Sequence, residues 1–86
     1  MQTIKPVDVR IIITEAANIA EAASIRPAQV LRDALTVVND NMPFRVELIT
    51  DELAGATIHF TEGADYDEVM ESIERGLEVF SEGLFD

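Results

Sequence analysis

The spacing of apolar positions changes along this chain, and the changes mark its elements. Positions 7–14 read Val-Asp-Val-Arg-Ile-Ile-Ile-Thr. Val7, Val9 and Ile11 alternate with Asp8 and Arg10, and the run Ile11 to Ile13 then breaks the alternation. This pattern predicts a strand over 7–14, central in a sheet and covered on both faces toward its end. Positions 15–23 are alanine-rich and predict a short helix, with Thr14 as its cap. Ser-Ile-Arg-Pro at 24–27 predicts a break and a new helix start, with Ser24 as N-cap and Pro27 in the first turn. Ala28, Leu31, Leu35 and Val38 then share one helical face, and Asn39-Asp40-Asn41 followed by Pro43 ends that helix. Period-two alternation returns over 44–50, where Phe44, Val46 and Leu48 oppose Arg45 and Glu47, and over 56–61, where Ala56, Ile58 and Phe60 oppose Thr57, His59 and Thr61. The turn 51–55 between them carries Gly55 and predicts an antiparallel hairpin. The last helix spans 65–80: Asp65 caps it, Glu68 is placed to reach back to the cap amide, and Val69, Ile73, Leu77 and Phe80 form its apolar stripe. Gly83 is expected to end it, with Leu84 and Phe85 folding back on the core.

The order strand, short helix, helix, strand, strand, helix predicts an α+β fold. Its form is a two-layer sandwich of βαββα order, with a three-stranded mixed or antiparallel sheet and helices on one face. The connection from the first strand to the second is long enough for a right-handed parallel crossover. The 86 residues make one domain, 1–86, with no internal repeat or linker. A core this small and a sheet with two open edges and one open face lead to the expectation of a homodimer.

Composition adds the electrostatics. Apolar residues make up 48%, enough for a folded core, and no apolar run approaches a membrane span. With no cysteine and no secretory leader, the expected location is cytoplasmic. The net charge is −11, and it is not evenly spread. Residues 1–45 carry five acids and five bases, whereas residues 46–86 carry twelve acids and only Arg75. A surface of that sign repels phosphate backbones and suits a basic protein partner, so direct nucleic-acid binding is disfavoured. Solubility or adaptation to a salty cytoplasm would give the same charge.

Candidate chemistry is sparse. His59 is the sole histidine; it could serve as a general base, but no activated nucleophile accompanies it. Ser24, Ser72 and Ser81 lack a nucleophile-elbow setting. The carboxylates of the last helix lie on a convex flank, where neither a carboxyl pushed toward protonation nor a calcium loop is expected. No cofactor or metal is implied. Gly76, inside the last helix, costs about 1 kcal/mol relative to alanine unless another backbone approaches it. The segment Ile19 to Leu35 resembles a helix–turn–helix. That resemblance implies nucleic-acid contacts through Arg26 and Arg32, although no basic cluster supports them. Arg26-Pro27-Ala28, followed by helix, strands and an acidic helix, also resembles the phosphocarrier proteins of sugar transport. The histidine those proteins place just ahead of that stretch has no counterpart here, and positions 61–65 leave no room for their additional helix.

The expected role is therefore a small acidic regulatory or interaction module without enzymatic activity. Asp67, Glu71, Glu74, Glu78 and Glu82 would meet a basic partner, and the sharper form is a nucleic-acid mimic that blocks an enzyme. The alternatives are a subunit of a larger homo-oligomeric assembly, a helix-turn-helix-like nucleic-acid-binding protein, and a small enzyme using His59.

Overall fold

The computed structural model describes residues 2–49 and 56–85. Its order is β1 (Gln2–Thr3), α1 (Pro6–Ala23), α2 (Pro27–Asn41), β2 (Val46–Leu48), β3 (Ile58–Phe60) and α3 (Tyr66–Phe85). The strands form an antiparallel sheet of order β1-β3-β2, and the three helices pack as a bundle on one of its faces. This is the two-layer α+β arrangement that the alternation of elements predicts.

The first strand and first helix lie elsewhere than the sequence suggests. Positions 7–14 are helical, not a strand, and no parallel crossover exists among the described residues. α1 starts at Pro6, whose missing N–H is harmless in a first turn, and runs unbroken for 18 residues. Its buried face is Val9, Ile12, Ala16 and Ala20, a three- and four-residue spacing that coexists with the alternation of Val7, Val9 and Ile11. The alternation misleads because Val7 and Ile11 are apolar yet stay in solvent, 58% and 48% exposed. The strand that opens the fold is Gln2–Thr3, paired with the end of β3 as Gln2↔Phe60 and Thr3↔His59. Thr14 lies inside α1, where its hydroxyl donates to the Arg10 carbonyl at 2.8 Å.

The break at Ser24 is where it was expected, but the chemistry differs. Ser24 adopts a left-handed conformation (φ 58°, ψ 42°) and closes α1 instead of capping α2. The Ser24 and Ile25 amides donate to the Glu21 and Ala20 carbonyls. These are the paired bonds of a Schellman motif. Arg26 is the N-cap of α2, and Pro27 occupies its first turn. α2 ends at Asn41, with Met42 extended before Pro43.

α3 is capped by Asp65, whose Oδ2 accepts from the Glu68 amide at 3.0 Å. The turn before it uses Gly63 at φ +92°, a conformation that glycine adopts without strain. The helix continues through Gly83 to Phe85, and Leu84 stays exposed rather than folding back. The side chain of Phe85 and the hairpin turn at 51–55 lie outside the described residues.

Val69, Ile73 and Leu77 of α3 are fully buried against Val30, Leu31 and Ala34 of α2, Ile12 of α1, and Ile58 and Phe60 of β3. Tyr66 ties the layers together at one end. Its hydroxyl accepts from the Lys5 amide at 2.8 Å and donates to Asp8 Oδ2 at 2.7 Å. Its ring meets Phe60 edge-on, and Lys5 Nζ lies 5.4 Å from the ring centre. This joint binds the starts of α1 and α3, so the two helices leave it side by side in the same direction.

Candidate functional site

The five carboxylates expected to form the site are all on α3 and all exposed. At 3.6 residues per turn, Asp67, Glu71, Glu74, Glu78 and Glu82 fall within about 80° of arc, opposite the Val69–Ile73–Leu77 stripe. They form a ridge, and the fold sets a groove along each flank of it.

The first groove runs between α1 and α3 and encloses about 460 Å³. Ile19 and Leu77 supply its apolar lining, and four carboxylates border it: Glu15 of α1, and Glu74, Glu78 and Glu82 of α3. The parallel course of α1 and α3 brings Glu15 beside Glu74. Glu15 responds to this setting: its carboxyl is pushed above the usual glutamate range, first by partial burial and then by the charge of Glu74. Glu74, Glu78 and Glu82 follow one another at four-residue spacing, each a like-charged neighbour of the next. Glu82 also sits in the last turn of α3, where the helix dipole favours cations and no base is present.

The second groove runs between α2 and α3 and encloses about 410 Å³. Val37, Val38, Met42 and Val79 form its walls, with Asn41, Ser72, Arg75 and the Gly76 backbone among them. Gly76 allows the two helices to close beneath it. A Cβ there would sit 2.7 Å from the Ala34 carbonyl oxygen and 3.1 Å from Val38 Cγ2. The neighbour that approaches the glycine is therefore α2. Arg75, the only lysine or arginine of residues 46–86, donates to Glu71 Oε1 at 3.3 Å. That bond leaves Glu71 on the lip of this groove.

The ridge residues thus divide. Glu74, Glu78 and Glu82 border the acidic groove, Glu71 is held by Arg75 at the apolar one, and Asp67 lies in the first turn of α3. Sequence reasoning missed Glu15, because a strand over 7–14 put it at the start of the next element. Its place one turn beyond Ile12 and one before Ile19 is the signal that could have found it. Val79 was missed because it flanks the apolar stripe instead of continuing it, and Ser72 was weighed only as a nucleophile.

The other candidates are placed apart from the ridge. His59 lies mid-strand in β3, directly across from Thr3 and Glu47, on the face of the sheet away from the helices. Arg26 caps α2, whereas Arg32 and Arg45 border a separate groove of about 290 Å³ between α2 and β2, together with Glu47. The helix–turn–helix-like segment spans α1 and α2, and α2 is packed against α1, α3 and β2. Among the described residues no group of three or more His, Asp or Glu is arranged to hold a metal ion, and no helix is long and apolar enough to cross a membrane. Comparison of the chain with protein-family models, curated proteins and solved structures finds no match.

Proposed function

We propose that this chain is an acidic interaction module that binds a basic protein partner through the α3 ridge and the α1–α3 groove. One observation carries the reading: Glu15, Glu74, Glu78 and Glu82 converge on one groove with no base among its lining residues. Like-charged pairs at four-residue spacing each oppose helix formation by about 0.2–0.5 kcal/mol. A carboxylate in the last turn of α3 adds a further unfavourable term. An arrangement that works against its own helix is explained by a cationic surface that relieves it on binding. In the sharper form of this reading, the carboxylates stand in for the phosphates of a nucleic acid and occupy the basic cleft of an enzyme.

Affinity capture from the native host tests this. The expected catch is a basic protein that elutes as salt is raised, because screening weakens exposed charge pairs. It should be lost when Glu74→Lys and Glu78→Lys are combined. Displacement of the chain by a DNA or RNA fragment is expected for the mimic form. Capture that survives both high salt and the double charge reversal would overturn the proposal.

A further inference from the structure

The groove on the other flank of the ridge has the chemistry of a socket. Its walls are the apolar side chains of Val37, Val38, Met42 and Val79, and Val79 is 47% exposed although it faces this shared space. Within it lies Ser72, the one polar residue among the buried side chains described, with 7% of its surface exposed. Its hydroxyl has no hydrogen-bond partner among the described residues, although Thr14 and Thr36 in the neighbouring helices both bond to the carbonyl four residues back. No buried side-chain oxygen or nitrogen is left without a partner among the described residues, so this hydroxyl is open to the groove, where a donor or acceptor can be brought to it. The Arg75 guanidinium lines the same groove, with its charge offset by Glu71. A planar cation in that position is a stacking partner for an aromatic ring.

We propose that the α2–α3 groove is the anchor socket for one aromatic side chain with a polar edge, tryptophan or tyrosine, carried by a basic segment whose lysines and arginines lie on the adjoining ridge. This inference rests on the reading of the ridge as a cation-binding surface and names what the partner brings beside its charge. The indole N–H or phenol O–H reaches Ser72, the ring fills the space between Val37, Met42 and Val79, and Arg75 covers one face of it. A volume of about 410 Å³ holds one such side chain. Charge complementarity selects the segment. The socket's α3 wall carries Glu71 on its lip and Glu78 beside Val79, so cationic residues flanking the ring find carboxylates within one helical turn. Aromatic residues that fill a desolvated pocket beside a charged rim are the usual anchors of protein interfaces.

The chain contains no tryptophan, so an indole supplied in a probe reports without interference. Three probes suffice: the capped peptide Lys-Lys-Trp-Lys-Lys, its Lys-Lys-Ala-Lys-Lys counterpart, and N-acetyltryptophanamide. Binding to the intact protein is followed by indole fluorescence and by amide shifts in a ¹⁵N-labelled sample. The tryptophan peptide is expected to bind about tenfold or more tightly than the alanine peptide. Its emission shifts to the blue, and the amides of Met42, Ser72 and Val79 move as well as those of the ridge. Val79→Ser, a change at a half-exposed site, should bring the tryptophan peptide down to the affinity of the alanine peptide. Ser72→Ala should weaken the tryptophan peptide alone. Equal affinity of the two peptides, with ridge amides moving and groove amides silent, overturns the socket and leaves the acidic-module reading standing. Failure of both peptides to bind overturns both. N-acetyltryptophanamide entering the groove as tightly as the peptide overturns the assignment to a basic segment and makes the groove a small-molecule site.

Discussion

Gly76 shows how one residue sets the spacing of the helices. In an open helix, glycine to alanine gains about 1 kcal/mol. Here the added methyl would meet the Ala34 carbonyl oxygen at 2.7 Å, and a backbone atom inside a packed helix cannot swing aside. Forcing extra volume into such a contact costs about 1–3 kcal/mol. Gly76→Ala is therefore expected to lower stability by up to about 2 kcal/mol net of the propensity gain, read as a lower urea midpoint. Gly83 provides the control in the same helix. A Cβ there meets nothing within 4 Å, so Gly83→Ala should raise the midpoint, by up to about 1 kcal/mol and less if the helix end frays. If the two substitutions shift the midpoint in the same direction, close approach of α2 is not what Gly76 permits. The oddity of a glycine inside the α3 stripe is legible in the sequence. The identity of its neighbour is not, because Ala34 is one of several alanines and only the crossing of the helices singles it out.

Elements that read clearly in the sequence are those where one period wins. α2, β2, β3 and the start of α3 each have a single apolar face and a recognisable stop, and all four fall where the pattern puts them. α1 does not, because its first turns carry apolar residues on two sides. β-branched residues at Val7, Val9 and Ile11–Ile13 favour a strand locally, but the alanine-rich continuation lets one long helix propagate through them once Pro6 has started it. β1 is two residues long and its partner lies more than fifty residues away, so no local signal marks it. The protection of β2 was equally hidden. β2 is an edge strand, and Asn39 closes part of that edge: its Oδ1 accepts from the Val46 amide at 2.7 Å, and its Nδ2 donates to the Val46 carbonyl at 3.0 Å. One side chain thus takes the place of a further strand, where sequence reasoning gave Asn39 only a share in ending α2. Asn39→Ala leaves both partly buried groups of Val46 without a partner, and a loss of about 1–3 kcal/mol is expected. Thermal unfolding measures the loss. Faster exchange of the Val46 amide locates it, and protection of that amide unchanged from wild type would show that the clasp does not hold the edge.

At the scale of the whole molecule, the sequence reveals that the charge is one-sided but not where it converges. Counting acids by halves assigns Glu15 to the neutral half, whereas folding carries it across to Glu74. That transfer has a consequence for stability. Burial and the Glu74 charge raise the Glu15 pKa in the folded protein above its unfolded value. The folded state then holds the Glu15 proton more tightly, so the stability this residue contributes is fully present below the ordinary glutamate pKa and is lost as pH rises through the raised one. Above the raised pKa, Glu15 is charged in both states and its repulsion in the groove works against folding. Glu15→Gln is therefore expected to raise Tm at pH 7, with the gain shrinking as pH falls through the carboxylate range. Added salt should also shrink it by screening Glu74 from Glu15. The same substitution removes one of the four carboxylates of the groove and should weaken binding of the Lys-Lys-Ala-Lys-Lys peptide. Stability gained where binding is lost is the signature of a surface kept for a partner. A surface kept only for solubility in salt would let Glu15→Gln raise Tm with peptide binding unchanged. A neutral-pH Tm that fails to rise would remove the repulsion from which both arguments start.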